Sequence, residues 1–157
     1  MIMHKIISWV LIFGVIGLFA IELDVNVQQP SIKKDFLIVK STKSYQEAEN
    51  FAIDLAAKTN VKYLRDKHYN KKLGLSQEKT LCEDAGFEYP CYFSRGRYDD
   101  GIYISLEYSN AYGSFAKGYF LVMIASGKYA KPALVDMKTY VPDAYVKHSS
   151  VYLGCMH

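Results

Sequence analysis

Alternation along Ile102–Tyr108 sets Tyr103, Ser105 and Glu107 on one side of an extended strip and Ile102, Ile104 and Leu106 on the other. The first set joins an aromatic ring to a hydroxyl and a carboxylate, a combination suited to sugar faces and hydroxyls. Arg95 and Arg97 share one face of the preceding strip, Tyr92–Tyr98, where forked guanidinium bonds would suit carboxylates. Arg95, Arg97, Tyr103, Ser105 and Glu107 are therefore the candidate ligand-binding residues. The same residues also fit an ordinary strand with a wet side, because tyrosine favours strands and polar residues mark the solvated face.

No residue set fills the roles of a catalytic site. Of the four histidines, His4 precedes an apolar run, His157 is terminal, and His68 lies in the charged strip 65–72 that reads as a solvated loop. Asp99 and Asp100 precede Gly101 and are explained by a turn, and Glu83 and Asp84 read as solvated. The chain ends in Cys155, Met156 and His157 with His148 upstream, yet a structural zinc site needs four ligands at recognisable spacings. No metal, no cofactor and no enzymatic activity is expected.

The compartment is read from the N-terminus. Lys5 precedes an uncharged apolar run from Ile6 to Ile21, and Glu22 and Asp24 follow, the layout of an export signal or signal anchor. Residues 6–21 would hold the chain in the membrane if uncleaved, and positive-inside logic sends the remainder across. The alternative is a buried N-terminal core helix. Residues 1–30 are thus signal and linker, and the working domain is 31–157. In an oxidising compartment Cys82 and Cys91 are natural partners, although three cysteines allow three single pairings and buried reduced thiols remain an alternative. The net charge of +3, with Lys and Arg scattered among 16 acidic residues, excludes the clustered basic patch of a nucleic-acid binder.

Two similar units would position these groups. Phe36 to Lys40 reads as a buried strand, and Ser44 to Glu47 as a capping box opening a helix. Ala48, Phe51, Ala52, Leu55 and Ala56 fall on one face of that helix. Asn60 is its stop, and Val61 to Arg65 the returning strand. The second unit runs from a strand at Tyr119–Ala125 through a helix opened by Pro132, with Ala133, Leu134, Met137 and Val141 as its stripe. Pro142 ends this helix and Ala144–Leu153 closes as a strand. Between the units, Ser76 caps a short helix stopped by Gly86, and Asp99-Asp100-Gly101 joins Tyr92–Tyr98 to Ile102–Tyr108 as a hairpin.

The run Phe36-Leu37-Ile38-Val39, followed by Ser41 and Tyr45, returns as Phe120-Leu121-Val122-Met123, Ser126 and Tyr129. This duplicated strand–helix–strand plan behind one membrane-targeting segment resembles the sporulation-related repeat (SPOR) domain, over residues 36–65 and 119–153. The resemblance implies an α+β fold in which two βαβ repeats form one mainly antiparallel, ferredoxin-like sheet with helices on one face. The other face, by the same resemblance, binds peptidoglycan glycan strands stripped of stem peptides. The family's Gly-Ser-Phe or Gly-Pro-Phe after the strands is absent here, where Lys40-Ser41-Thr42 and Ala125-Ser126-Gly127 stand, so no binding residue transfers by motif. The insertion 66–118 is also atypical. The expectation is a non-catalytic envelope protein, periplasmic or anchored in the inner membrane facing the periplasm, that binds this glycan. The alternative is a small periplasmic inhibitor or immunity protein that blocks a wall-active enzyme, projecting loop 66–101 into its target.

Overall fold

The computed structural model describes residues 30–154. The apolar run 6–21 and the third cysteine, Cys155, lie outside the described residues. No helix among the described residues is long and apolar enough to cross a membrane.

The fold is α+β. Strand β1 (Ser31–Thr42) leads into helix α1 (Tyr45–Thr59), and the hairpin β2 (Lys67–Asn70) and β3 (Gly74–Gln77) follows with the short helix α2 (Lys79–Asp84). Then come β4 (Ile102–Tyr108), β5 (Phe120–Ser126), α3 (Ala130–Met137) and β6 (Tyr145–Tyr152). Four strands form an antiparallel sheet in the order β4-β5-β1-β6, and β2 with β3 forms a second, two-stranded sheet.

The two strand–helix starts follow the sequence closely. The Ser44 hydroxyl accepts the Glu47 N–H at 3.3 Å, and Asn60 ends α1 in the left-handed conformation at φ 61° while its N–H bonds the Ala56 carbonyl. The capping box itself is only half made. Glu47 does not reach back to the Ser44 N–H, because its carboxylate is taken by the Thr42 hydroxyl and by Lys40, each at 2.6 Å. The Ser44 N–H goes instead to the Thr42 hydroxyl at 3.2 Å.

Ala48, Ala52 and Leu55 of α1 and Met137 of α3 bury against Leu37, Val39, Leu106, Val122 and Ile124, forming the helix-covered core. The alanines matter because a small side chain lets the helix axis approach the sheet.

Three sequence expectations are corrected between α1 and β4. Val61–Arg65 does not return as a full strand and makes one parallel bridge, Tyr63 to Ile104, with bonds of 2.9 and 2.8 Å between Ile104 and the Leu64 and Lys62 backbones. The place beside β5 goes to β4, whose Ile104 and Leu106 pack in the helix-covered core while Ser105 and Glu107 are buried on its other face. Ser76 is not a cap: it lies buried in β3, and α2 begins after Glu78. Tyr92–Tyr98 is not a strand, so Asp99-Asp100-Gly101 does not close a regular hairpin. Backbone groups in this stretch bond side chains instead: the Phe93 N–H reaches Gln77 Oε1 at 2.9 Å, and the Arg95 N–H reaches Glu107 Oε2 at 3.1 Å.

The sheet face away from the helices is closed. Phe36, Ile38, Leu121, Met123 and Val151 are buried beneath Tyr112 and Phe115, which follow a 3-10 turn at Ser109–Ala111. Phe36 meets Tyr112 edge-on at 5.0 Å and Phe115 at 6.1 Å between ring centres. A bridge from Tyr112 to Val151 ties the same loop to the outer side of β6. Removing the Phe36 ring would leave a cavity between β1 and this loop. Phe36→Ala is expected to lose about 3–5 kcal/mol in urea denaturation, the range for truncating a buried aromatic. A loss below about 1 kcal/mol would mean that the loop does not seal this face.

Candidate functional site

The sequence candidates converge in the interior rather than on an open surface. Glu107 and Ser105 are fully buried and Arg95 is 3% exposed, while Tyr103 is half-buried. Glu107 accepts from the Tyr92 hydroxyl at 2.5 Å, the Tyr112 hydroxyl at 2.9 Å and the Arg95 N–H at 3.1 Å, and pairs with Lys67 Nζ at 3.1 Å. Burial pushes its carboxyl up, but the Lys67 ammonium and the donors from Tyr92, Arg95 and Tyr112 outweigh that and hold it below the usual range. Burial next to this carboxylate drives both phenols, Tyr92 and Tyr112, well above their ordinary value, so they stay neutral donors.

Arg95 performs a different task. The pairing of β4 with β5 skips between Ile102↔Ala125 and Ser105↔Met123, so a bulge frees acceptors in both strands. The Arg95 guanidinium fills that gap by donating to the carbonyls of Met123, Ile124, Tyr103 and Gly101 and to the Ser105 hydroxyl, at 2.6–3.2 Å. It also lies 3.8 Å from the centre of the Tyr103 ring. Arg97 stands apart from this cluster. It lies against the rings of Tyr98, Phe93 and Phe87 at 5.1, 5.6 and 6.0 Å, and Gly154 leaves room for it, since a Cβ there would sit 2.3 Å from a guanidinium nitrogen. Cys82 and Cys91 form a disulfide with Cα atoms 5.8 Å apart, next to the Gln77 N–H bond to the Cys91 carbonyl.

The surface suited to a ligand lies elsewhere. A groove of about 600 Å³ opens where the starts of α1 and β5, the tip of the β2–β3 hairpin and the end of β4 meet. Phe120 is its base, with the rings of Tyr108, Tyr45 and Tyr69 at 5.1, 5.8 and 6.2 Å from it. Lys43, Lys71 and Lys72 line its sides with the amides of Gln46, Asn70 and Asn110, and no carboxylate lines it. The hairpin turn is local in origin: Asn70 Oδ1 accepts the N–H groups of Lys72 and Leu73 at 2.9 and 3.0 Å. Gly74 then takes φ 82°, and a Cβ there would strike the Tyr108 ring at 2.5 Å, so only glycine lets the hairpin close on that ring. Burial, reinforced by Glu49, raises the Tyr45 phenol, which therefore remains a neutral hydroxyl at neutral pH.

Sequence reading missed this groove because it placed Tyr69, Lys71 and Lys72 in a solvated loop. The available signals were the 14 tyrosines and the Asn70-to-Gly74 turn. Among the described residues no group of His, Cys, Asp and Glu could hold a metal ion.

Glu107→Gln would leave the Lys67 ammonium, whose side chain is 6% exposed, with only the Asp66 carboxylate at 3.6 Å, and should cost about 3 kcal/mol at pH 7. The carboxyl is held below its unfolded value of about 4.3, so its stabilisation is complete above that pH and is lost as pH falls through the lowered folded value. Urea titrations should therefore show the gap between wild type and Glu107→Gln narrowing below about pH 4; a constant gap would contradict the charged pair. No protein-family model, curated protein or solved structure matches the chain, so its chemistry rests on its own residues.

Proposed function

We propose that this chain is a non-catalytic, exported protein of the cell envelope that binds peptidoglycan glycan in the groove between α1 and the β2–β3 hairpin. The observation that carries this reading is the pairing of the exposed Tyr69 ring and the half-buried Tyr45 and Tyr108 rings with lysines and amides in one hollow whose lining holds no carboxylate. Tyrosine faces pack on the apolar sides of sugar rings, amides bond their hydroxyls, and lysines attract the carboxylates of an acidic glycan. The closed helix-free sheet face, and the bonds of Ser105 and Glu107 that are spent inside the protein, argue for a binding surface away from the face of Tyr103, Ser105 and Glu107.

Export is supported by Lys5 and the apolar run 6–21, and by the Cys82–Cys91 disulfide, which suits an oxidising compartment. The SPOR-like, ferredoxin-like reading draws support from β5 lying between β1 and β4, with α1 and α3 packed on one face. In this reading the insertion adds the hairpin that makes one wall of the groove.

Purified protein should co-sediment with amidase-treated cell-wall sacculi. Tyr69→Ala, at a residue 54% exposed, should weaken that binding roughly fivefold with little change in the unfolding midpoint, since a ring contact contributes about 1 kcal/mol. Lys71→Gln combined with Lys72→Gln should weaken binding and flatten its salt dependence. Sedimentation no greater than that of an inert protein of equal charge, or equal for wild type and Tyr69→Ala, would refute the proposal.

A further inference from the structure

The insertion carries a second, chemically opposite surface. Between α2 and the start of β4 lies a hollow of about 510 Å³, walled by Leu81, Phe93, Tyr98 and Tyr103. Leu81 is 44% and Tyr98 73% exposed, so large apolar surface faces solvent at its mouth. Asp66, Asp84 and Asp99 also line it. The two cations that touch the hollow are already committed: Lys67 to Glu107 and Asp66, and Arg95 to the bulge acceptors. Both are nearly withdrawn from solvent, whereas Asp84 and Asp99 are exposed. An entering group therefore meets aromatic walls and negative charge.

The surrounding surface is mixed but leans acidic. Glu78, Glu83 and Glu88 are exposed on the lobe, with Lys79 3.6 Å from Glu83, and Phe87 is 43% exposed beside them. Arg97 already lies against Tyr98, Phe93 and Phe87, which shows that these rings accept a guanidinium. The lobe is also rigidly held. The disulfide closes it, and the Gln77 side chain bonds both backbone groups of Phe93, at 2.9 and 3.4 Å. A preordered apolar socket with an acidic rim is poor for the acidic glycan assigned to the lysine groove. It is well matched to a long side chain with an apolar stem and a cationic head, which packs its methylenes on rings and places its charge near carboxylates.

We infer that this lobe is a docking site for a protein segment in which arginine or lysine alternates with apolar side chains, the basic residue entering the hollow between Tyr98 and Asp84. The site is independent of the glycan groove and shares none of its lining residues. One molecule would thus hold a basic protein partner at one end and a glycan at the other.

The test is fluorescence anisotropy with the oxidised full-length protein and a labelled peptide of alternating arginine and leucine, against a counterpart with glutamate in place of arginine. The basic peptide should bind, more weakly as salt rises, and the glutamate peptide should not. Asp84→Asn with Asp99→Asn, and separately Tyr98→Ala, should each weaken binding at least about tenfold, the scale of one desolvated cation–aromatic contact. Asp54→Asn, on the exposed side of α1, and the Lys71→Gln, Lys72→Gln pair should bind as wild type does. Amide chemical shifts should move at Leu81, Phe93 and Tyr98 on addition of the peptide, a readout that checks the lobe in folded wild-type protein. Equal binding of both peptides, equal loss in Asp54→Asn, or shifts confined to other parts of the chain would overturn the inference, whatever the outcome with glycan.

Discussion

Glu107 is a charge held where water does not reach, and three separate stretches of chain bend inward to satisfy it. Lys67 comes from the first residue of β2, Tyr92 and the Arg95 N–H from the irregular segment after the disulfide, and Tyr112 from the loop that seals the second sheet face. An isolated buried carboxylate would be prohibitively unfavourable, so these partners must arrive together or not at all. The insertion is consequently bound to the sheet through one polar centre, where the helices are bound to it through an apolar core. Such an arrangement specifies a single placement of the inserted chain more sharply than it stabilises it.

That centre also fixes distant surfaces. The same short strand that offers Lys67 to the interior carries Tyr69 to the groove, and its partner strand ends in Gln77, which holds the segment after Cys91. The lysine–tyrosine groove and the acidic socket are therefore opposite ends of one rigid hairpin. Tyr108 adds a further link, since its N–H bonds the Tyr92 hydroxyl while its ring stands beside Phe120.

The repeat units were legible because they obey local rules. The Phe36–Val39 run, the alanine face of α1, Asn60 as a stop and Pro132 in the first turn of α3 all appear where periodicity and capping place them. The Cys82–Cys91 bridge was anticipated as one of the possible pairings. What escaped was set by long-range partners. Alternation along β4 correctly separates Ser105 and Glu107 from Ile104 and Leu106, but it implies a wet side, and that side is dry because Tyr112 and Tyr92 cover it. Likewise Tyr92–Tyr98 has strand composition, yet the ladder it would need is replaced by the side chains of Gln77, Glu107 and Arg95. A side chain standing in for a neighbouring strand leaves no periodic trace in sequence.

The isolated bridges at the sheet's two margins have a wider consequence. On one side Lys62 and Leu64 occupy the backbone of Ile104, and on the other Tyr112 and Gly113 occupy Val151 and Ser150. β4 is thereby occupied near its start and β6 near its end, which shortens the bare rail that each presents to a stranger's backbone. A protein built this way offers less edge for templated self-association and leans more on side-chain chemistry in meeting other molecules.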